Sequence, residues 1–246
     1  VKILHTDIDP YCCAVLRKNF PDDDVLEKDI REIQPGDVAG YGQIHWFAGI
    51  GGWALALRYA GFAGECWTAS CPCQPFSAAG LARGVGDERH LWPVVRGLIA
   101  DRHPPVIFGE QVASRLGYQW LAGVRADLER EGYAVGCADL PAACVGAPHI
   151  RRRVYWVADS SIVSARPAKA AVSVPVHEDP WKTSIEQTGR CCREHNKHKR
   201  RAPSGVLLVA NGLSENLDRI GGLGNAIVPQ VAATFVRAWM KADFQG

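Results

Sequence analysis

No stretch of the 246-residue sequence is apolar for long enough to cross a bilayer as a helix, so no membrane-spanning helix is expected. The opening residues, VKILHTDIDP, lack the basic, apolar and small-residue blocks of a secretory leader. The nine cysteines are odd in number and follow no disulfide-framework spacing, so reduced thiols and a cytoplasmic location are expected. No internal repeat is visible. Net charge is only +2, so any affinity for nucleic acid has to come from local patches. One such patch exists: residues 190–201, RCCREHNKHKRR, carry six Lys or Arg against one Glu. The remaining composition, 47% hydrophobic and 22% charged, is that of a soluble globular chain with room for one large domain or a domain plus a small insert.

Short β-rich runs alternate with amphipathic helical segments along the chain. The pattern predicts strands at residues 1–6 (VKILHT), 43–47 (QIHWF), 65–69, 105–109 (PVIFG), 133–139 and 153–158 (RVYWVA). It predicts helices at 10–20, at 53–60, at about 92–101 and 118–130, and from Pro229 onward. Such alternation implies an α/β fold, a doubly wound, mostly parallel sheet covered on both faces. Ligands then belong outside the carboxyl ends of the strands. Residues 159–205 break the pattern, being rich in Ser, Pro, Ala and basic side chains, and read as an irregular insert.

Four clusters fall at predicted strand ends. FAGIGG (47–52) stands between a strand and a helix, where glycines admit close approach of a ligand and the helix start offers free N–H groups. A plain tight turn fits the same residues. In SCPCQPFS (70–77), Pro72 and Pro75 flank Cys73, lock their own φ and push the residues before them out of helical geometry. A thiol on so stiff a loop has one orientation, as a nucleophile needs, although most free cysteines are small buried hydrophobes. Glu110 ends the apolar strand of PPVIFGEQV, placed to cap the next helix, to stand in solvent, or to act on a substrate as acid or hydrogen-bond partner. Arg151 and Arg153 in HIRRRVYW are spaced to share one face of an extended segment, as surface charge or as a phosphate or carboxylate site.

FAGIGG, PCQPFS, GEQV, the arginine pair after GAPH, and GNAIVPQVA (224–232) together resemble the DNA cytosine-5 methyltransferases, over about 200 of the 246 residues. The resemblance implies an S-adenosylmethionine-dependent methyltransferase fold with a small target-recognition insert. Residues 1–158 would form the catalytic domain, 159–210 the recognition region and 211–246 a segment returning to the first domain. The implied activity moves a methyl group from S-adenosylmethionine to C5 of cytosine in duplex DNA, as in DNA methylation and restriction–modification. Cys73 would add to C6 of a flipped-out base, Glu110 would hold ring N3 and the exocyclic amine, and Arg151 and Arg153 would steady base and loop. Phe47, Ala48, Gly49, Gly51 and Pro72 would line the cofactor site, with Asn225 closing it. A monomer without metal or membrane partner is expected. The chemistry suits the residues: C5 is a poor nucleophile until a thiolate adds at C6, and the duplex hides C6 until the base is extruded.

The sequence also departs from the family's usual pattern. Only residues 53–71 separate FAGIGG from PCQPFS, too few for the family's ribose and adenine units. HTDIDPYCCAVLRKNFP resembles the ribose unit, with Asp7 at the acidic position, and EKDIREI the adenine unit, with Asp29. A rearranged order follows, unless Asp7 and Asp9 simply cap the helix at Pro10. Rearrangement would send the helix after FAGIGG towards the opposite neighbouring strand, and right-handed crossover rules then predict that it changes face. Gln111 replaces a usual Asn, and His149 a usual Gln. Asp87 either positions the loop after Cys73 or caps the helix near Leu91. The adjacent Cys191 and Cys192, with His195 and His198, lack the spacing of a zinc site. Rival expectations are an RNA cytosine-5 methyltransferase and a catalytically silent DNA-binding relic. A redox pair of Cys71 and Cys73 lacks C-x-x-C spacing.

Overall fold

The computed structural model describes residues 1–72, 91–147, 149–161 and 226–243. Elements follow in the order β1 (Ile3–Asp7), α1 (Pro10–Asn19), β2 (Asp24–Glu27), β3 (Gln43–Trp46), α2 (Gly52–Ala60) and β4 (Cys66–Ala69). After them come α3 (Trp92–Arg102), β5 (Val106–Val112), α4 (Arg115–Arg130), β6 (Ala134–Pro141), β7 (Arg152–Asp159) and α5 (Pro229–Asp243). The strands form one seven-stranded sheet ordered β2-β1-β3-β4-β5-β7-β6. Pairings from β2 through β5 are parallel, and β7 runs antiparallel to both its neighbours. This is the open, mostly parallel α/β sheet that the strand–helix alternation predicts.

Local chemistry sets the helix ends. Asp9 caps α1 by accepting from the Tyr11 N–H, Pro10 occupies the first turn, and Arg17 and Lys18 face the carboxyl end of the helix dipole. Ser114 caps α4, accepting from Gly117 N, so that helix begins three residues before its apolar periodicity does. β2 was absent from the strand pattern because its DVLE stretch is only half-buried at the sheet edge.

Alternation along each strand splits the core into two layers. The ladder row Leu4, Ile44, Trp67, Ile107 and Ala158 faces α3 and α4. The next row, His5, His45, Thr68, Phe108 and Val157, faces α1, α2 and α5. Phe20, just past α1, lies 5.0 Å from the His5 ring, and Trp53 of α2 stacks 6.0 Å from Phe108. Helices α1 and α2 therefore share one face.

That placement overturns the expected change of face. The β1–α1–β2 and β3–α2–β4 crossovers step in opposite directions along the sheet, yet both helices cover the same side. The two units must then have opposite hands. β4–α3–β5 steps the same way as β3–α2–β4 but on the other face, which gives it the hand of β1–α1–β2. With those taken as the right-handed form, seen in about 98% of such units, the α2 crossover is left-handed. Packing holds it there: α2 lies against α5 through Trp53, Ala56 and Leu57, and against α1 through Ala54.

The turn entering α2 is equally tight. Gly51 has φ +88°, and a Cβ there would sit 2.3 Å from Phe20 Cε2. Gly51→Ala is expected to cost about 2–4 kcal/mol from strain and overpacking together. Urea denaturation would register this as a lower midpoint, and an unchanged midpoint would mean that the turn relaxes freely.

Candidate active site

The carboxyl ends of β2, β1 and β3 stand side by side. After β3 the chain turns sharply, with positive φ at Phe47 (52°), Gly49 (55°) and Gly51 (88°). Asp7, the last residue of β1, holds that turn: its Oδ2 accepts from Gly49 N at 2.7 Å and its Oδ1 from Asp9 N at 3.0 Å. Asp9, not Asp7, caps α1, through the Tyr11 N–H at 2.8 Å. Ala48 N donates to Thr6 O at 3.0 Å, tying the turn to β1 a second time. Asp29, just beyond β2, accepts from Arg31 N at 2.9 Å and Arg31 Nε at 3.0 Å, and this pairing holds its carboxyl below the ordinary range.

These residues fit S-adenosylmethionine. A Cβ built on Gly49 meets nothing within 4 Å, so the backbone there is open to a ligand's edge. Beside it is an anchored carboxylate whose oxygens retain lone pairs beyond the two backbone N–H groups they already accept. Phe47 adds a partly buried ring packed against the core.

β4 and β5 carry the second half of the site. Their ladder ends at Ala69 opposite Gly109, which brings Ser70 and Cys71 beside Glu110 and Gln111. Gln111 Nε2 donates to Cys71 O at 3.5 Å, while Gln111 Oε1 accepts from Val112 N at 2.9 Å. The Cys71 thiol is buried, and burial pushes its pKa up to about 12. Pro72 is exposed and is the last described residue of this segment. Cys73, Asp87, the 190–201 basic run and Asn225 lie outside the described residues.

Glu110 continues the row of Phe108 on β5, opposite Tyr155 of β7. It neither caps α4, which Ser114 does, nor meets solvent, being 8% exposed. Arg153 is on the same face of β7 as Tyr155, and its Nε lies 2.8 Å from Glu110 Oε1. Burial raises the Glu110 pKa to about 7, against the opposing pull of Arg153 and Arg151.

The shared-face reading of the two arginines needs correction. Arg151 precedes β7 and has φ +32°, so it is not extended. Its NH2 donates to Ala226 O at 2.7 Å, clasping the segment before α5. Arg151 and Arg153 thus converge on Glu110 electrostatically from different backbone settings. A cleft of about 600 Å³ runs from the glycine turn to that segment, lined by Gly51, Gly52, Arg58, His149, Arg151 and Ile227 among others.

Sequence reasoning overlooked one link. The Trp53 indole N–H donates to Ser70 Oγ at 3.0 Å, joining the first turn of α2 to the residue that opens SCPC. A tryptophan on an apolar helix face reads only as core.

A family model described as C-5 cytosine-specific DNA methylase matches residues 65–197. Among curated proteins, the Type II methyltransferase M.NgoMIV of Neisseria gonorrhoeae is 32% identical over 155 residues, which is 62% of this chain and 42% of that protein. M.AplI of Arthrospira platensis is 37% identical over 89 residues, 35% of this chain and 26% of that protein. The chain thus spans less than half the length of these curated relatives. Among solved structures, the Dnmt2 methyltransferase of S. pombe shares the fold at TM-score 0.54 and 14% identity, covering 96% of this chain and 90% of that one. No helix among the described residues is long and apolar enough to cross a membrane.

Proposed function

The chain belongs to the C-5 cytosine-specific DNA methylase family, and from that premise we propose that it methylates C5 of cytosine in duplex DNA through a covalent bond between Cys73 and C6 of a flipped base. The observation that carries this reading is Glu110, a buried carboxyl whose pKa is lifted to about 7, at the end of the strand paired with the one leading to Cys73.

At that pKa about half of the Glu110 carboxyls carry a proton at neutral pH. The protonated form can donate to ring N3 as the thiolate attacks, drawing charge away from C6 and leaving C5 electron-rich. Arg153 fixes the orientation of the carboxyl, and the prolines that flank Cys73 in the sequence would restrict its backbone and so its line of attack. S-adenosylmethionine, when bound, supplies the methyl group as an electrophile. Water then takes the C5 proton, the Cys73 thiolate leaves C6 as the C5–C6 double bond re-forms, and the N3 proton returns to Glu110, restoring ring and enzyme.

Phe47, Ala48, Gly49, Gly51, Pro72 and Asn225 would line the cofactor site, with Asp7 at the ribose and Asp29 near the adenine. We take the ribose and adenine units to precede the glycine unit in this chain. In support, β1 and β2 come before β3 in sequence and stand beside it in the sheet. Residues 159–210 would recognise the target, the basic run within them meeting phosphates. The working protein is proposed as a cytoplasmic monomer.

The test offers matched DNA and RNA duplexes with labelled S-adenosylmethionine, followed by bisulfite sequencing of the DNA. Label in DNA cytosines is expected. Label in RNA alone selects the RNA enzyme, and DNA binding with no adduct on 5-fluorocytosine DNA selects the silent relic.

A further inference from the structure

We propose that Trp53 and Ser70 are a positioning pair that fastens the end of β4, which leads to Cys73, to the glycine turn, an inference that rests on the function proposed above. The backbone ladder between β4 and β5 stops at Ala69–Gly109. Pro72 has no N–H, so it cannot extend that ladder as a donor. Side chains hold the intervening residues instead. From one face of the sheet, Trp53 Nε1–H donates to Ser70 Oγ at 3.0 Å; from β5, Gln111 Nε2 donates to Cys71 O.

Trp53 is well placed to fix a position. It is 4% exposed, stacked 6.0 Å from Phe108 and edge-on 6.1 Å from Tyr155, so its indole has little freedom. It follows Gly51 by two residues, and the turn containing Gly51 is pinned to Asp7 through Gly49 N. The chain Asp7–Gly49–Trp53–Ser70 therefore runs from the carboxylate proposed for the ribose to the third residue before Cys73. The buried indole N–H groups of Trp46 and Trp156 have no acceptor among the described residues, so the Trp53 bond is not a general consequence of burial. Here the acceptor belongs to the segment whose placement decides the trajectory of attack.

Ser70→Ala, Trp53→Phe, the double variant and Ser70→Thr would be made in the full chain. Three quantities would be read: the single-turnover methylation rate, S-adenosylhomocysteine affinity by calorimetry, and the thermal midpoint. Ser70→Ala is expected to slow single turnover about tenfold, since small displacements of a nucleophile are costly, while affinity changes less than about twofold. Trp53→Phe should match it, the double variant should be no slower than the slower single one, and Ser70→Thr should restore the rate. If Trp53→Phe does not fold, the serine variants decide. Unchanged rates, multiplying losses, or a loss that only follows the midpoint would overturn the pair. A wild-type chain giving neither product nor adduct sinks the proposed function, and the pair with it; an active wild type indifferent to Ser70→Ala sinks the pair alone.

Discussion

Cys73→Ser is expected to bring methyl transfer below about a thousandth of the wild-type rate, because a serine hydroxyl is far less ionised near neutrality and a weaker nucleophile than a thiol. The substitution changes one atom beside an exposed proline, so folding and cofactor affinity should be nearly unaffected. Two buried thiols are poorly ionised near neutrality: burial pushes Cys71 up to about 12, and burial with the nearby Asp7 and Asp9 pushes Cys12 up to about 12. Single-turnover label transfer and covalent trapping on 5-fluorocytosine DNA measure the outcome together. Turnover retained by the serine variant would remove Cys73 from the reaction, and with it the adduct mechanism.

Glu110→Gln should lower the single-turnover rate by about 10²–10⁴, the usual contribution of a positioned acid, with DNA affinity changed far less. The pH profile gives a sharper readout. The carboxyl pKa is raised to about 7 by burial, so the proton is present below that value and lost above it. A rate that depends on donation from Glu110 falls as pH rises through about 7, while ionisation of the attacking thiol acts in the opposite sense. The glutamine variant cannot lose this proton, so its profile should lack the falling limb. A wild-type rate that climbs steadily through pH 8 would mean that Glu110 works ionised, as a partner for the exocyclic amine only.

Much of this site was legible in the residues. FAGIGG announced a turn because glycines at 49 and 51 meet positive φ without a Cβ to clash, and the structure uses both in that way. Glu110 was found as an acid at a strand end, but not its burial, since that depends on β7 returning antiparallel to lay Arg153 and Tyr155 across it. Arg151 and Arg153 were read as a shared face because alternation assumes extension, and the left-handed turn at Arg151 breaks that assumption. β2 was missed because an acidic edge strand shows no apolar rhythm, and the early start of α4 because its cap precedes its first buried residue.

Local chemistry by itself therefore determined the elements and the reactive residue types: periodicity of burial, proline and glycine geometry, and the titratable groups at strand ends are properties of neighbouring residues. Only the folded chain decided which groups meet and how they are charged. The left-handed α2 crossover, the Asp7 grip on Gly49, the Trp53–Ser70 bond and the raised pKa of Glu110 all join residues distant in sequence. Such contacts arise from packing two layers onto one sheet, which no short window of sequence encodes.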